Sequence, residues 1–161
     1  VKDNKKATEE GVFLMARTPW KIEWSDALSM ENRQVDAEHQ HFIRLVNELN
    51  EAISDQRRDR ANVERIMVLI LEDALTHFAH EELLFCETAY PGAEEHTQRH
   101  TELIGIFQQA LKDIHHTESS RRWVEIGLTI KDLLVEHVVN EDRQYISYLR
   151  NNSDNTAPKG N

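Results

Sequence analysis

Apolar residues recur along this chain at steps of three and four, and the pattern starts afresh four times. From residue 36 to 54 the stripe is His39, Phe42, Ile43, Val46, Leu49 and Ile53. Such steps gather side chains on one face of a helix. A charged break at 55–60 ends it. A second stripe, Ile66, Ile70, Asp73 or Ala74, His77, Glu81 and Leu84, predicts a helix over 62–88 that stops at Pro91 and Gly92. His96, His100, Leu103, Phe107, Leu111 and Ile114 predict a third over 93–116. After the loop at 117–120, where Ser119 or Ser120 can cap the next helix, a fourth runs to about 149. It carries Trp123, Ile126, Ile130, Leu134, His137 and Tyr145. Short breaks between helices of ~20 residues make sequential helices antiparallel. The fold expected is therefore all-α, an up-down-up-down four-helix bundle. An arm at 16–35, with Trp20, Ile22, Trp24 and Leu28, precedes it.

The length of 161 residues fits one domain with tails. We divide it into an N-terminal extension or linker (1–19), the helical domain (20–150) and a polar, disordered tail (151–161). Residues 1–14 lack a signal-peptide core. Because Met15 would make a natural start, they read as a linker from a larger protein or a cloning remnant. A net charge of −10 argues against nucleic acid as a partner and suits a cytoplasmic protein. No apolar run reaches the ~20 residues that span a bilayer, so no membrane partner is expected. The single cysteine, Cys86, cannot form an internal disulfide. It reads as a buried structural thiol.

The histidines change the picture. His39, His77, His96, His100 and His137 occupy stripe positions where Leu or Ile is expected, and Glu81 follows His77 by one turn. Buried imidazoles and a buried carboxylate are costly unless paired or bound to a cation. One histidine on an apolar stripe is usually a hydrogen-bonded core residue; five spread over four helices point to a shared ligand. They exceed the ligand count of one structural zinc, and calcium or magnesium would take oxygen donors. Nitrogen-rich, thiolate-free ligation with shared carboxylates suits two redox metals, iron before manganese. His41, His80, His115 and His116 fall off the stripes and read as surface residues.

Four blocks in order, VDAEHQHF at 35–42, HFAHEE at 77–82, YPGAEEHTQRH at 90–100 and HVVNEDRQY at 137–145, resemble the bacterial hemerythrins. Trp24 resembles the tryptophan that opens that domain. The resemblance implies two iron ions (Fe2+/Fe3+) with a bridging oxo or hydroxo group. His39 and His77 would hold one iron; His96, His100 and His137 would hold the other; Glu81 and Asp142 would bridge them. Helix geometry alone favours Glu141, one turn after His137. Asp142, five residues on, is turned about 140° away at ~100° per residue, unless the helix loosens there. Phe85 stands where many relatives carry Met.

The resemblance further implies reversible dioxygen binding at the two-histidine iron. Dioxygen is then the partner, and the chain is a carrier or store, or a sensing domain linked to or associated with a signalling domain. A redox-sensing module and a di-iron oxidase or peroxide-reducing enzyme are the alternatives. The histidine-rich ligand set argues against an enzyme, since oxygen-activating di-iron sites use more carboxylates.

Overall fold

A computed structural model describes residues 20–156. The expected extension at 1–19 and the last tail residues, 157–161, lie outside the described residues. Four long helices follow one another: α1 (Arg33–Ser54), α2 (Arg60–Thr88), α3 (Ala93–His116) and α4 (Ser120–His137). A π-helical segment, Val138–Asp142, then joins α4 to α5 (Arg143–Thr156) without a loop. The bundle is a ring in which α1 packs on α2 and α4, and α3 on α2 and α4. This is the up-down-up-down arrangement that short connections impose.

Three of the helices begin where the sequence supplies a side-chain cap, while α3 begins after Gly92 without one. The Asn32 side chain accepts from the backbone amides of Gln34 and Val35, Asp59 from Asn62, and Ser119 from Arg122. Of the two serines, Ser119 is the cap. The α2 helix ends at Ala89, which takes a left-handed conformation (φ 50°) before Pro91 and Gly92 turn the chain. Glu94 and Glu95 in the first turn of α3 suit the positive end of its dipole.

The core is a single cluster that runs through the bundle, from Val35 and Phe42 on α1 to Tyr145 and Ile146 on α5. Two stripe positions fall differently from expectation. Phe85 is buried and Leu84 half-buried on α2; Ala110 is buried and Leu111 half-buried on α3. Phe85 lies a step of four beyond the buried Glu81, and Ala110 lies a step of three beyond Phe107 and four before Ile114, so both fall in line with buried neighbours. Cys86 is exposed, not buried: it follows Phe85 and points away from the core. Where the expectation had the tail disordered from residue 151, the last helix continues to Thr156.

The arm is fastened rather than loose. Ile22 is buried and exchanges two hydrogen bonds with Asn47: Ile22 N donates to Asn47 Oδ1 at 2.8 Å, and Asn47 Nδ2 to Ile22 O at 2.9 Å. Asn50 Nδ2 donates to Trp20 O at 3.1 Å. Further along, Arg143 donates to Ala27 O and Arg150 to Met30 O. Gly127 lets α4 approach α1 closely, since a Cβ there would collide with the Asn50 side chain.

Candidate metal centre

The ligand candidates come from helices that converge at one depth. On α1, His39 is one turn before the buried Phe42 and Ile43. On α2, His77 and Glu81 are one turn apart, as are His96 and His100 on α3. His137 closes α4. Asp142 follows from a local irregularity: the wider π turn carries the backbone through five residues and returns Asp142 to the interior. Asp142 is 0% exposed, whereas Glu141 retains 25% side-chain exposure. The helix therefore loosens at the one place where a regular helix would have presented Glu141.

All seven expected residues, His39, His77, Glu81, His96, His100, His137 and Asp142, lie together and are buried. They form two overlapping groups: Glu81, His96, His100, His137 and Asp142 in one, and His39, His77 and Asp142 in the other. Within each, the donor atoms lie within 4.8 Å of one another. Asp142 faces both groups. Its Oδ2 is 3.1 Å from His39 Nε2, and its Oδ1 is 3.2 Å from His96 Nε2 and 3.1 Å from His137 Nε2. Glu81 Oε2 also looks both ways, 3.2 Å from His100 Nε2 and 3.7 Å from His77 Nε2.

Nε2 of all five histidines and both oxygens of each carboxylate are buried without a hydrogen-bond partner. Nine orphaned polar atoms pointed at one another in a dry interior would be severely destabilising on their own. Lone-pair donors at these separations fit around cations placed between them. The donor set, imidazole and carboxylate without thiolate, fits a transition metal.

The electrostatics agree. Burial and the neighbouring Asp142 carboxylate push Glu81 up to about 7. Burial also raises Asp142, but the facing imidazoles of His137, His39 and His96 outweigh it and hold the carboxyl well below its usual range. Burial lowers His137, yet the Asp142 carboxylate beside it raises the ring to about 10. Protons thus supply the positive charge that a metal would otherwise bring.

Two residues beyond the expected set hold histidines from behind by hydrogen bonds, and a third carboxylate stands close to another ring. Glu38 Oε2 accepts from His77 Nδ1 at 2.8 Å, and Glu82 Oε1 from His100 Nδ1 at 3.0 Å. Glu141 Oε2 lies 3.2 Å from His137 Nδ1. A carboxylate on Nδ1 fixes the tautomer that leaves the Nε2 lone pair facing inward. Glu38 and Glu82 sit beside His39 and Glu81 in sequence, at the stripe's edge. No periodicity distinguishes them from ordinary solvated charges. Glu38 also reaches His80 Nδ1 at 3.2 Å, so His80 is half-buried rather than free in solvent, while His41, His115 and His116 are exposed as expected.

Aromatic rings wall the site. Phe78 stacks on His100 with centroids 3.9 Å apart, and Phe85 lies 4.8 Å from His96 and 4.7 Å from Tyr145.

Comparison with known proteins agrees with this architecture. Bacteriohemerythrin of Stenotrophomonas maltophilia (strain R551-3) is 30% identical over 133 residues, covering 79% of this chain and 80% of its own. Bacteriohemerythrin of Pseudomonas aeruginosa (strain LESB58) is 24% identical over 131 residues, with the same coverage of each. The crystal structure of a wild-type hemerythrin superposes with a TM-score of 0.68 at 21% identity, over 77% of this chain and 94% of that one. It shares the four-helix bundle fold. The family profile described as the hemerythrin HHE cation binding domain matches residues 30–149. The chain belongs to this hemerythrin family.

Proposed function

We propose that the chain holds two iron ions and binds dioxygen reversibly, within a functional unit spanning residues 20–150. His39 and His77 would hold one iron, and His96, His100 and His137 the other, with Glu81 and Asp142 shared between them. The observation that carries this reading is the set of orphaned donor atoms, three imidazoles on one side and two on the other of a shared carboxylate pair. An iron pair would supply reversible redox binding of dioxygen, which would bind on the side with fewer imidazoles. The protein's part is orientation and exclusion: Glu38 and Glu82 steer two of the rings, and Phe78 and Phe85 keep the interior apolar. A bridging oxo or hydroxo group is part of the same proposal.

The reading is of a binding protein rather than an enzyme, acting in the cytoplasm as a carrier, a store or a sensing domain. No described helix is long and apolar enough to cross a membrane. One observation favours sensing. Arg143, next to Asp142, donates to Ala27 O and so ties the arm to the end of the π segment. A shift at Asp142 would be felt by the arm and by any signalling domain joined to it.

Iron loading followed by oxygen cycling tests the proposal. Elemental analysis of anaerobically loaded protein should find close to two irons per chain. Air should then produce a visible absorption band that vanishes on deoxygenation. One zinc at full occupancy would refute the iron pair, and irreversible oxidation with steady peroxide release would favour the enzyme or redox-sensor reading.

A further inference from the structure

The α2 helix is apolar on two opposite faces. Its inner face carries the core and the candidate ligands. Its outer face presents Val68, Leu75, Ala79, Leu83 and Cys86, all exposed. At ~100° per residue these five fall within an arc of about 80°. Val68, Leu75 and Leu83 are 39%, 48% and 57% exposed, and they are three of the five large hydrophobics exposed among the described residues. A lone exposed leucine needs no explanation, but a row along one helix marks an interaction surface. A helix apolar on both sides is ordinarily covered on both sides.

We propose that this face joins two copies of the chain, α2 against α2, antiparallel about a two-fold axis. The sequence of the face is self-complementary in that direction. With the axis passing near Leu75 and Thr76, Val68 meets the partner's Leu83, Leu75 meets the partner's Leu75, and Arg65, at the edge of the arc, meets the partner's Glu87, which stands about 40° beyond that edge on the same flank. Arg65 and Glu87 are both exposed. A parallel pairing would instead set Arg65 against Arg65 and Glu72 against Glu72, which like-charge repulsion opposes. An isologous contact closes on itself and produces a dimer rather than a fibre. Two chains of net charge −10 repel each other broadly. The arc, whose charges are Arg65 and Glu72, is a face on which that repulsion is small. Ala79 allows the backbones to approach, and the 29-residue helix gives a ridge about 43 Å long.

Sedimentation of the full chain over a range of concentrations is the test. The wild type should dissociate reversibly from dimer to monomer. Leu75→Glu, at an exposed position that leaves helicity intact by circular dichroism, should raise the dimer Kd by roughly tenfold or more. Leu83→Lys should act likewise and guards against a local effect at residue 75. Arg65→Glu should weaken the dimer, and adding Glu87→Arg should restore it. A wild type that stays monomeric at every concentration overturns the proposal, as does a dimer indifferent to Leu75→Glu and Leu83→Lys. A dimer broken by both but not rescued by the Arg65→Glu and Glu87→Arg pair overturns the antiparallel register. Capture of a different helical protein by this face, with no self-association, also overturns it.

Discussion

Glu38 Oε2 sits 2.8 Å from His77 Nδ1, so the residue beside one candidate ligand, His39, steers another ligand on a different helix. The His77 ring is thereby held with Nε2 towards Glu81. Glu38→Ala leaves the His77 ring unsteered and its Nδ1 unpaired. Metal affinity should fall by about 10–100-fold, with loss concentrated in one of two binding events. Competition titration against a chelator checks this; unchanged affinity for both metals would remove Glu38 from the site.

The same pair gives a pH signature. Ion-pairing with His77 holds Glu38 down at about 2, against its ordinary 4.5. The folded-state value is depressed, so its stabilisation is complete above the ordinary value and fades as pH falls from 4.5 towards 2. Acid titration of the wild type should show this loss, and the Glu38→Ala protein should lack it. Identical acid profiles for the two would count against the contact.

Metal loading should release protons. In the metal-free protein Glu81 lies at about 7 and His137 at about 10, so both hold protons at slightly acid pH, and ligation requires them bare. Affinity should therefore rise with pH, and calorimetry in buffers of different ionisation enthalpy should record proton release. Proton uptake, or no linkage between pH 6 and 8, contradicts the assignment.

Asp142 and Glu141 separate cleanly. Asp142→Ala should cost bound metal, because the carboxylate facing both groups is lost. Glu141→Ala should retain two metals, since Glu141 stands behind His137 and beside Arg99 and faces neither ligand group. Metal analysis of the two variants gives the answer, and the reverse outcome would mean the π turn does not present the ligand.

Phe85 is buried against His96, Tyr90 and Tyr145. Phe85→Ala should cost about 3–5 kcal/mol in chemical denaturation of the metal-free protein. It should also admit water beside His96 and hasten oxidation of the loaded protein. A change below about 1 kcal/mol would mean that the wall repacks.

Much of this was legible in the sequence because burial imposes a period. His39, His77, His96, His100 and His137 interrupt stripes otherwise filled by Leu, Ile and Phe, and a helix repeats closely enough that stripe membership predicts depth. Phe85 and Ala110 took places assigned to Leu84 and Leu111 because neighbouring apolar residues share the edge of a stripe, and packing decides between them. Cys86 reads as buried on residue type, whereas its register places it outside. Glu38 and Glu82 were invisible for another reason: a carboxylate paired to a ring across the bundle has the same local sequence as one in water. Asp142 sat at the limit. Spacing alone favoured Glu141, the family resemblance favoured Asp142, and only the π turn reconciles the burial of Asp142 with a helical chain.

That turn has a cost and a use. Five residues run where a regular helix would close its hydrogen bonds at a tighter spacing. Removing one residue between His137 and Asp142, such as Val139, would bring the acid to the spacing of one ordinary turn and let α4 run smoothly into α5. The healed helix would keep the acid, and with it Arg143 and Tyr145, in their present directions; closing the turn without removing a residue would instead rotate Asp142 and every residue beyond it by about 100°. One residue too many in a helix is thus a phase shifter: it lets a single continuous rod serve the centre with one register and the bundle's far end with another.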